Sequence, residues 1–256
     1  MKIASFNING IKARLPRLLE WLKESDVDVA LLQEIKSVDG NFPREAIEDL
    51  GFNIVTHGQK SFNGVAILSK YPIEDVVRGL PGDTADEQAR WIEARINTVR
   101  VCCLYLPNGN PAPGPKYAYK LAWMARLYRH AKALLESEEP VVMAGDYNII
   151  PQPEDAHQIE DWQADALYLP ESRAAFRKLL NLGFTDALRA LTPAPLIYTF
   201  WDFQAGAWNR NNGIRIDHHL LSPQAADLLK SCEIDRQMRG REKPSDHVPI
   251  WIELGV

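Results

Sequence analysis

The sequence predicts an α/β fold in which two packed sheets carry helices on their outer faces. Three observations lead there. Strand-like segments outnumber helical ones, and several short strands follow one another with no helix between them. Residues 141–144 are almost wholly apolar, as expected for a strand covered on both faces. A simple βαβ repeat would alternate its elements and does not fit.

Residues 3–8 read as the first strand. Residues 14–24 follow as a helix because Leu15, Leu18, Leu19 and Leu22 form one apolar stripe. Residues 27–32 make a strand that ends at Gln33-Glu34. Residues 43–50 look like a short helix stopped by Gly51, and residues 52–55 are extended again. Strands at 65–68, 91–96 and 99–106 continue the series. A Pro/Gly/Asn-rich loop at 107–115 leads into a long helix at 116–135. The strand at 141–144 delivers Gly145-Asp146-Tyr147-Asn148 to its C-terminal end. Residues 151–170 are acidic and irregular, and are expected on the surface. A helix at 171–180 and strands at 198–201, 214–221 and 248–254 complete the chain. No linker divides it and no repeat is visible, so residues 1–256 are expected to form a single domain.

The bulk composition is that of a folded soluble protein, with 46% apolar and 25% charged residues. No segment is long and apolar enough to span a bilayer, and the N-terminus lacks a secretion signal, so a cytoplasmic protein without membrane contact is expected. Cys102, Cys103 and Cys232 form no C-x-x-C pair. A net charge of −5 argues against a protein that coats nucleic acid non-specifically. Charge is unevenly spread, however. No acidic residue lies between Glu93 and Glu136, where Arg95, Arg100, Lys116, Lys120, Arg126, Arg129 and Lys132 occur. Either a surface for a polyanion or a solvated helix face accounts for that run.

The chemistry shows at the strand ends. Apolar segments run into Asn7 and Asn9, into Gln33-Glu34, into Asp146 and Asn148, into Asp217, and into Asp246-His247. Carboxylates near a core are costly unless paired or bound to metal. Glu34, Asp146, Asp217 and Asp246 with the amides are hard oxygen donors that suit magnesium. Taken singly, each Asp is more often a cap or turn residue. The case rests on several such ends meeting. His218 and His219 are neighbours in a strand, point to opposite faces and do not share a zinc ion; one is expected to pack against a helix or face solvent. Asp246 is placed to orient His247. G-x-S-x-G, G-x-G-x-x-G and the P-loop motif are all absent, which leaves metal-assisted hydrolysis in front.

Nine segments carry a resemblance. They are 6–14 (FNINGIKAR), 32–36 (LQEIK), 63–67 (NGVAI), 105–109 (YLPNG), 120–124 (KLAWM), 145–148 (GDYN), 198–202 (YTFWD), 212–217 (NGIRID) and 245–249 (SDHVP). In this order they resemble the exonuclease III family of apurinic/apyrimidinic endonucleases, within the endonuclease/exonuclease/phosphatase superfamily. The resemblance implies a four-layer α/β/β/α sandwich with two packed mixed β-sheets, DNase I-like. It implies a Mg²⁺-dependent enzyme, with Mn²⁺ as a substitute, acting on double-stranded DNA as a monomer. Such an enzyme hydrolyses the backbone 5′ to abasic sites and removes nucleotides or blocking groups from 3′ ends.

The same resemblance assigns roles. Glu34 is the principal metal ligand, with Asn7, Asn9 and Asp246 in the metal set. Asp146 activates or positions the attacking water, with Asn148 beside it. Asp246 and His247 form a carboxylate–imidazole pair, Asp217 lies in that network, and Tyr105 reaches the phosphate. Phe200, Trp201 and Ile214 form an apolar pocket for the abasic sugar, with Ile214 where some relatives carry Trp. Lys36, Asn63, Asn108, Arg210, Asn211, Asn212 and Arg215 are candidates for DNA backbone contacts. Trp91 and Trp123 are expected in the core and Trp208 on the surface. The first strand begins at once, so no function tied to a long N-terminal extension is expected. The alternatives are another phosphodiesterase or phosphatase of the superfamily, acting on phosphoinositides or sphingomyelin, and a non-catalytic DNA-binding protein. The first needs an apolar membrane-docking loop, which is not seen, and the second needs a lost site residue.

Overall fold

The computed structural model describes residues 1–256 as two six-stranded mixed sheets packed face to face with helices outside. The first sheet holds β1 (Lys2–Asn7), β2 (Val29–Gln33), β3 (Asn53–His57), β4 (Val65–Ser69), β11 (Leu229–Ile234) and β12 (Ile250–Leu254), in the order β11-β12-β1-β2-β4-β3. The second holds β5 (Glu74–Arg78), β6 (Trp91–Ile96), β7 (Val99–Tyr105), β8 (Val141–Asp146), β9 (Thr185–Asp186) and β10 (Asp217–Leu221), in the order β5-β6-β7-β8-β10-β9. Helices α1 (Ile11–Glu24) and α2 (Arg44–Glu48) cover the first sheet. Helices α3 (Pro115–Leu135) and α4 (Pro170–Asn181) cover the second. Short helices α5 (Ala187–Leu191) and α6 (Pro223–Ala226) flank β9 and β10. The layers are α/β/β/α, as expected.

Alternation along the strands builds three apolar layers. Ile3, Val29, Leu31, Val101, Cys103, Val142, Ala144 and Leu221 point into the space between the sheets. Their neighbours Ala4, Phe6, Ala30 and Leu32 meet α1, while Cys102, Leu104, Val141, Met143 and Leu220 meet α3 and α4. The same parity aims Asn7, Gln33, Tyr105, Asp146 and Asp217 inward. Each of these stands at a strand terminus. β1 and β2 run parallel, as do β7 and β8, whereas β12 and β10 run antiparallel to β1 and β8. The C-terminal ends of the first four and the N-terminal ends of the last two therefore share one edge of the sandwich.

Several elements differ from the sequence reading. α1 begins at Ile11 rather than residue 14. Residues 198–201 form no strand and contribute only single bridges from Phe200 to Ile214 and to His247. β10 begins at Asp217, three residues later than expected. β5, β9 and β11 escape the pattern because edge strands expose one side and lack apolar runs. The two histidines point to opposite faces, and one of them meets a helix, as expected. His218 packs on Tyr147 and on Phe176 of α4, and His219 lies buried between the sheets. Trp208 is half-buried against Trp201.

Gly145 is the tightest point of the second sheet. A Cβ there would stand 1.9 Å from the Leu104 carbonyl oxygen, which is backbone and does not yield. We expect Gly145→Ala to cost about 3 kcal/mol or more and to move Asp146 with it. Chemical denaturation measures the loss, and unchanged stability would remove Gly145 as a constraint on this edge.

Candidate active site

At the shared edge the inward row turns polar. Asp146 and Asp217 are direct cross-strand partners on β8 and β10, so their carboxylates share a face. His247 stands between them. Its Nδ1 lies 2.9 and 3.1 Å from the two Asp217 oxygens, and its Nε2 lies 3.7 Å from Asp146 Oδ2. The carboxylate partner of His247 is thus Asp217, not Asp246 as the sequence suggested. Adjacent residues of an extended segment point apart. Asp246 instead accepts from Asn9 Nδ2 at 3.0 Å.

Glu34 follows β2 with φ of 50°, a left-handed turn that swings its carboxylate toward the row. Asn7 Nδ2 donates to Glu34 Oε1 and to Asp146 Oδ2, each at 2.9 Å. The Asn9 backbone N–H donates to Asn7 Oδ1 at 3.0 Å and fixes which end of that amide is oxygen. Asn7 therefore presents its nitrogen to the carboxylates and orients them. Asn9 likewise gives its oxygen to Lys36 Nζ at 2.6 Å. As arranged, each amide oxygen accepts one hydrogen bond and each amide nitrogen faces a carboxylate. Lys36 also pairs with Glu34 at 2.9 Å.

Burial works against ionisation at Glu34, but Asn7, Lys36 and His247 outweigh it and hold the carboxyl below its ordinary value. Burial raises Asp146, and the Asp217 and Glu34 charges push the same way against the pull of His247. Burial opposes charge on His247 too, yet Asp217, Asp146 and Asp246 outweigh it and drive its proton affinity up. The surrounding carboxylates therefore favour the protonated imidazole. Tyr105 keeps its phenolic proton because burial and the Glu34 and Asp146 charges all raise its pKa. Glu34, Asp146 and His247 offer ligand atoms within 4.8 Å of one another. With His247 protonated, the donors that fit a divalent cation are the Glu34 and Asp146 oxygens, whose mutual repulsion a cation relieves.

A cleft of about 310 Å³ opens beside the row, lined by Phe200, Ile214, Trp162, Asp165, Arg210 and Asn212 among others. Phe200 joins it to the site, its ring 5.0 Å from the His247 ring. Trp201 is not on this surface. It is buried against Tyr198 and Trp208, and its Nε1 donates to Asn211 Oδ1, so it supports the loop from below. Trp162 was missed, although a lone Trp in an acidic irregular segment was a signal. Two buried hydroxyls were missed as well. Thr199 Oγ1 accepts from the Ile216 and Asp217 N–H groups, and Ser245 Oγ donates to the Asn7 carbonyl.

The expected DNA contacts divide. Asn108, Arg210 and Asn211 are exposed, and Lys36 and Asn212 are half-buried near the row or the cleft. Asn63 is buried and donates to Gln59, holding its own loop. Asn148 is turned inward, donating to Leu106 O and accepting from Asn108. Arg215 cannot meet DNA. It is 1% exposed and bridges Asp155 and Asp186 at 2.7 and 2.9 Å, with Arg189 also on Asp155. The basic run before Glu136 is largely spent in the same manner. Arg95 pairs with Asp75, Arg100 with Glu93, and Arg126 with Asp86, while Lys120 is buried.

The site and its two-sheet support define a phosphoester hydrolase of the metal-dependent kind. The chain belongs to the Endonuclease/Exonuclease/phosphatase family, which matches residues 4–247. It is 36% identical to Exodeoxyribonuclease III of Haemophilus influenzae, a match covering 99% of this chain and all of that one. The solved AP endonuclease of Archaeoglobus fulgidus superposes with a TM-score of 0.96 at 38% identity, covering both chains fully. The 3′ phosphatase NExo from Neisseria, bound to a product DNA hairpin, gives 0.96 at 37% identity over 99% of each chain.

The Arg215 network carries its own test. Burial opposes charge on Asp155 and Asp186, but Arg215 and the groups beside it hold both carboxyls below their ordinary value. Their contribution to stability is complete above about pH 4 and is lost as pH falls through the lowered values. Arg215→Met should cost about 3–5 kcal/mol at pH 7, and less at pH 3. Urea unfolding at both pH values decides it, and an equal cost at both would exclude the ion network as the cause.

Proposed function

We propose that this protein is a divalent-cation-dependent phosphodiesterase of DNA repair. It incises duplex DNA 5′ to abasic sites and removes nucleotides or blocking groups from 3′ ends. The observation that carries this reading is the buried Asp146–His247–Asp217 row beside Glu34, in a chain so like an exodeoxyribonuclease, an AP endonuclease and a 3′ phosphatase. We further read residues 1–256 as one domain acting as a monomer in the cytoplasm, with Mg²⁺ as the ion and Mn²⁺ as its substitute. No helix is long and apolar enough to cross a membrane.

Glu34 is the residue that would hold the cation, with Asp146 facing it and Asp246 nearby. When bound, the cation neutralises charge on the phosphoryl oxygens and stabilises the leaving oxygen. The chain's own groups do the rest. Asp146, fixed by Asn7 and by the Asn148 N–H at 2.8 Å, orients the attacking water and receives its proton. His247, kept protonated and aligned by Asp217, donates to a phosphoryl oxygen, and Tyr105 donates from the Glu34 side. Phe200 and Ile214 offer an apolar wall to an extruded sugar that has lost its base and unstacks at low cost. A phosphoinositide or sphingomyelin hydrolase would use similar chemistry, but neither solved relative named above is one.

Asp146→Asn separates chemistry from binding. The amide keeps the shape, so duplex affinity in Ca²⁺ should hold or rise slightly. Single-turnover cleavage of an abasic-analogue duplex should fall about 10²–10⁴-fold and stay low across a Mg²⁺ titration. Cleavage within a few-fold of wild type moves the base role elsewhere. Recovery at high Mg²⁺ makes Asp146 chiefly a metal ligand. Wild-type cleavage of phosphoinositides but not DNA overturns the substrate.

A further inference from the structure

One lysine does not fit the core in which it lies. Lys120 occupies the buried stripe of α3 with Tyr117, Trp123, Met124 and Leu127, and is 0% exposed. Lysines in such positions normally run their stems along apolar surface and keep the ammonium in water. The Lys120 ammonium instead ends inside the protein, 3.0 Å from the Asn108 carbonyl and 2.6 Å from the Asn148 carbonyl. It has no ion-pair partner, and Asp146 and Asp165 act on it only at longer range. Burial draws it down to about 7 against their pull.

The two carbonyls belong to different loops. Asn108 lies after β7 and Asn148 after β8, and their side chains are already joined at 3.1 Å. Asn148 holds φ of 47°, a left-handed conformation that asparagine tolerates better than most non-glycine residues. In that conformation its N–H donates to Asp146 Oδ1 at 2.8 Å. Gly109 completes the fit, because a Cβ there would stand 2.7 Å from Lys120 Cδ.

We infer that Lys120 is a positioning residue for the hydrolytic reaction: its ammonium clamps the Asn108 and Asn148 carbonyls together and so fixes the backbone conformation of Asn148, the residue whose N–H aims Asp146. The inference rests on the nuclease reading of Asp146. Lys120 touches no substrate. It acts through Asn148, whose carbonyl it holds on one side while the N–H of the same residue holds Asp146 on the other. Without the ammonium, two buried carbonyls lose their donor and the left-handed turn at Asn148 loses a tether.

The test compares wild type, Lys120→Met and Lys120→Arg, with Gly109→Ala as the second route should Lys120→Met not fold. Residue-resolved amide exchange reads the clamp without any reaction. The Asn148 N–H should lose protection at least tenfold in Lys120→Met, while Met143 and Ala144 in the strand keep theirs. Single-turnover cleavage of an abasic-analogue duplex at saturating Mg²⁺ should fall about 10- to 100-fold, the scale of a small misplacement of a reacting group. Affinity for the same duplex in Ca²⁺ should stay within threefold, and Lys120→Arg should restore part of the rate. Gly109→Ala, which crowds the lysine stem and at φ of 93° also strains the Asn108 loop, should show the same split between rate and affinity. Unchanged protection at Asn148 overturns the clamp, and so does a folded Lys120→Met that cleaves within threefold of wild type. Equal losses of rate and affinity overturn it as well, since they report general damage. If wild type does not cleave DNA, the nuclease reading fails, and the exchange result still decides the clamp.

Discussion

The edge of this sandwich is organised by one constraint: two carboxylates face each other across neighbouring strands and must be reconciled. Asp146 and Asp217 are paired in register on β8 and β10. Two like charges about 5 Å apart repel by roughly 3 kcal/mol at an effective dielectric constant of about 20. The His247 imidazolium between them turns that repulsion into two attractions. Its placement in turn requires the segment before β12 to cross from the first sheet to the second. The Phe200–His247 bridge, the Trp201 N–H on the Asp246 carbonyl and the Ser245 hydroxyl on Asn7 hold that crossing. A histidine in that bridge keeps the two sheets in one relation at the site.

Strand parity explains why the acids and amides of the site gather at one edge, although Ser5 and His219 also lie buried between the sheets. The inter-sheet layer is apolar through Ile3, Leu31, Val142 and Leu221. It becomes polar where the same parity continues to Asn7, Gln33, Asp146 and Asp217. Gln33 marks the transition, donating to the Leu31 carbonyl and the Cys103 sulfur. Glu34 breaks parity, and its left-handed backbone is the means. The cost of a strained residue there is consistent with a functional role, since strain persists where the surroundings over-determine it.

Much of this was legible in the sequence, and the failures share a cause. The central strands and α3 carry strong apolar patterns, so 91–96 matched β6 and most other core elements were placed to within a few residues. Edge strands such as β5 bury little, and nothing in their pattern marks them. At the site, the strand-terminal acids and amides were found because they interrupt apolar runs. Partnership was not legible. Asp246 adjoins His247 in sequence, yet Asp217, thirty residues away, holds the ring. Arg215 and Lys120 read as surface charge from composition, and both are buried with partners that only the tertiary fold supplies. Trp201 illustrates the reverse error. A run of aromatics looks like one surface, whereas Phe200 meets the cleft and Trp201 packs beneath it.

The charge balance of the edge connects these arrangements to the reaction. Glu34, Asp146, Asp217 and Asp246 bring four carboxylates, against which stand His247, Lys36 in front and Lys120 behind. A divalent cation held among the carboxylates shifts the local balance by two charges toward positive, which is the sign an incoming phosphate requires. Amides suit the remaining positions for the same reason. Asn7, Asn9, Asn108 and Asn148 supply directed donors and acceptors without shifting the balance either way. A charged residue at any of the four would add a full charge beside the carboxylates that the site is built on.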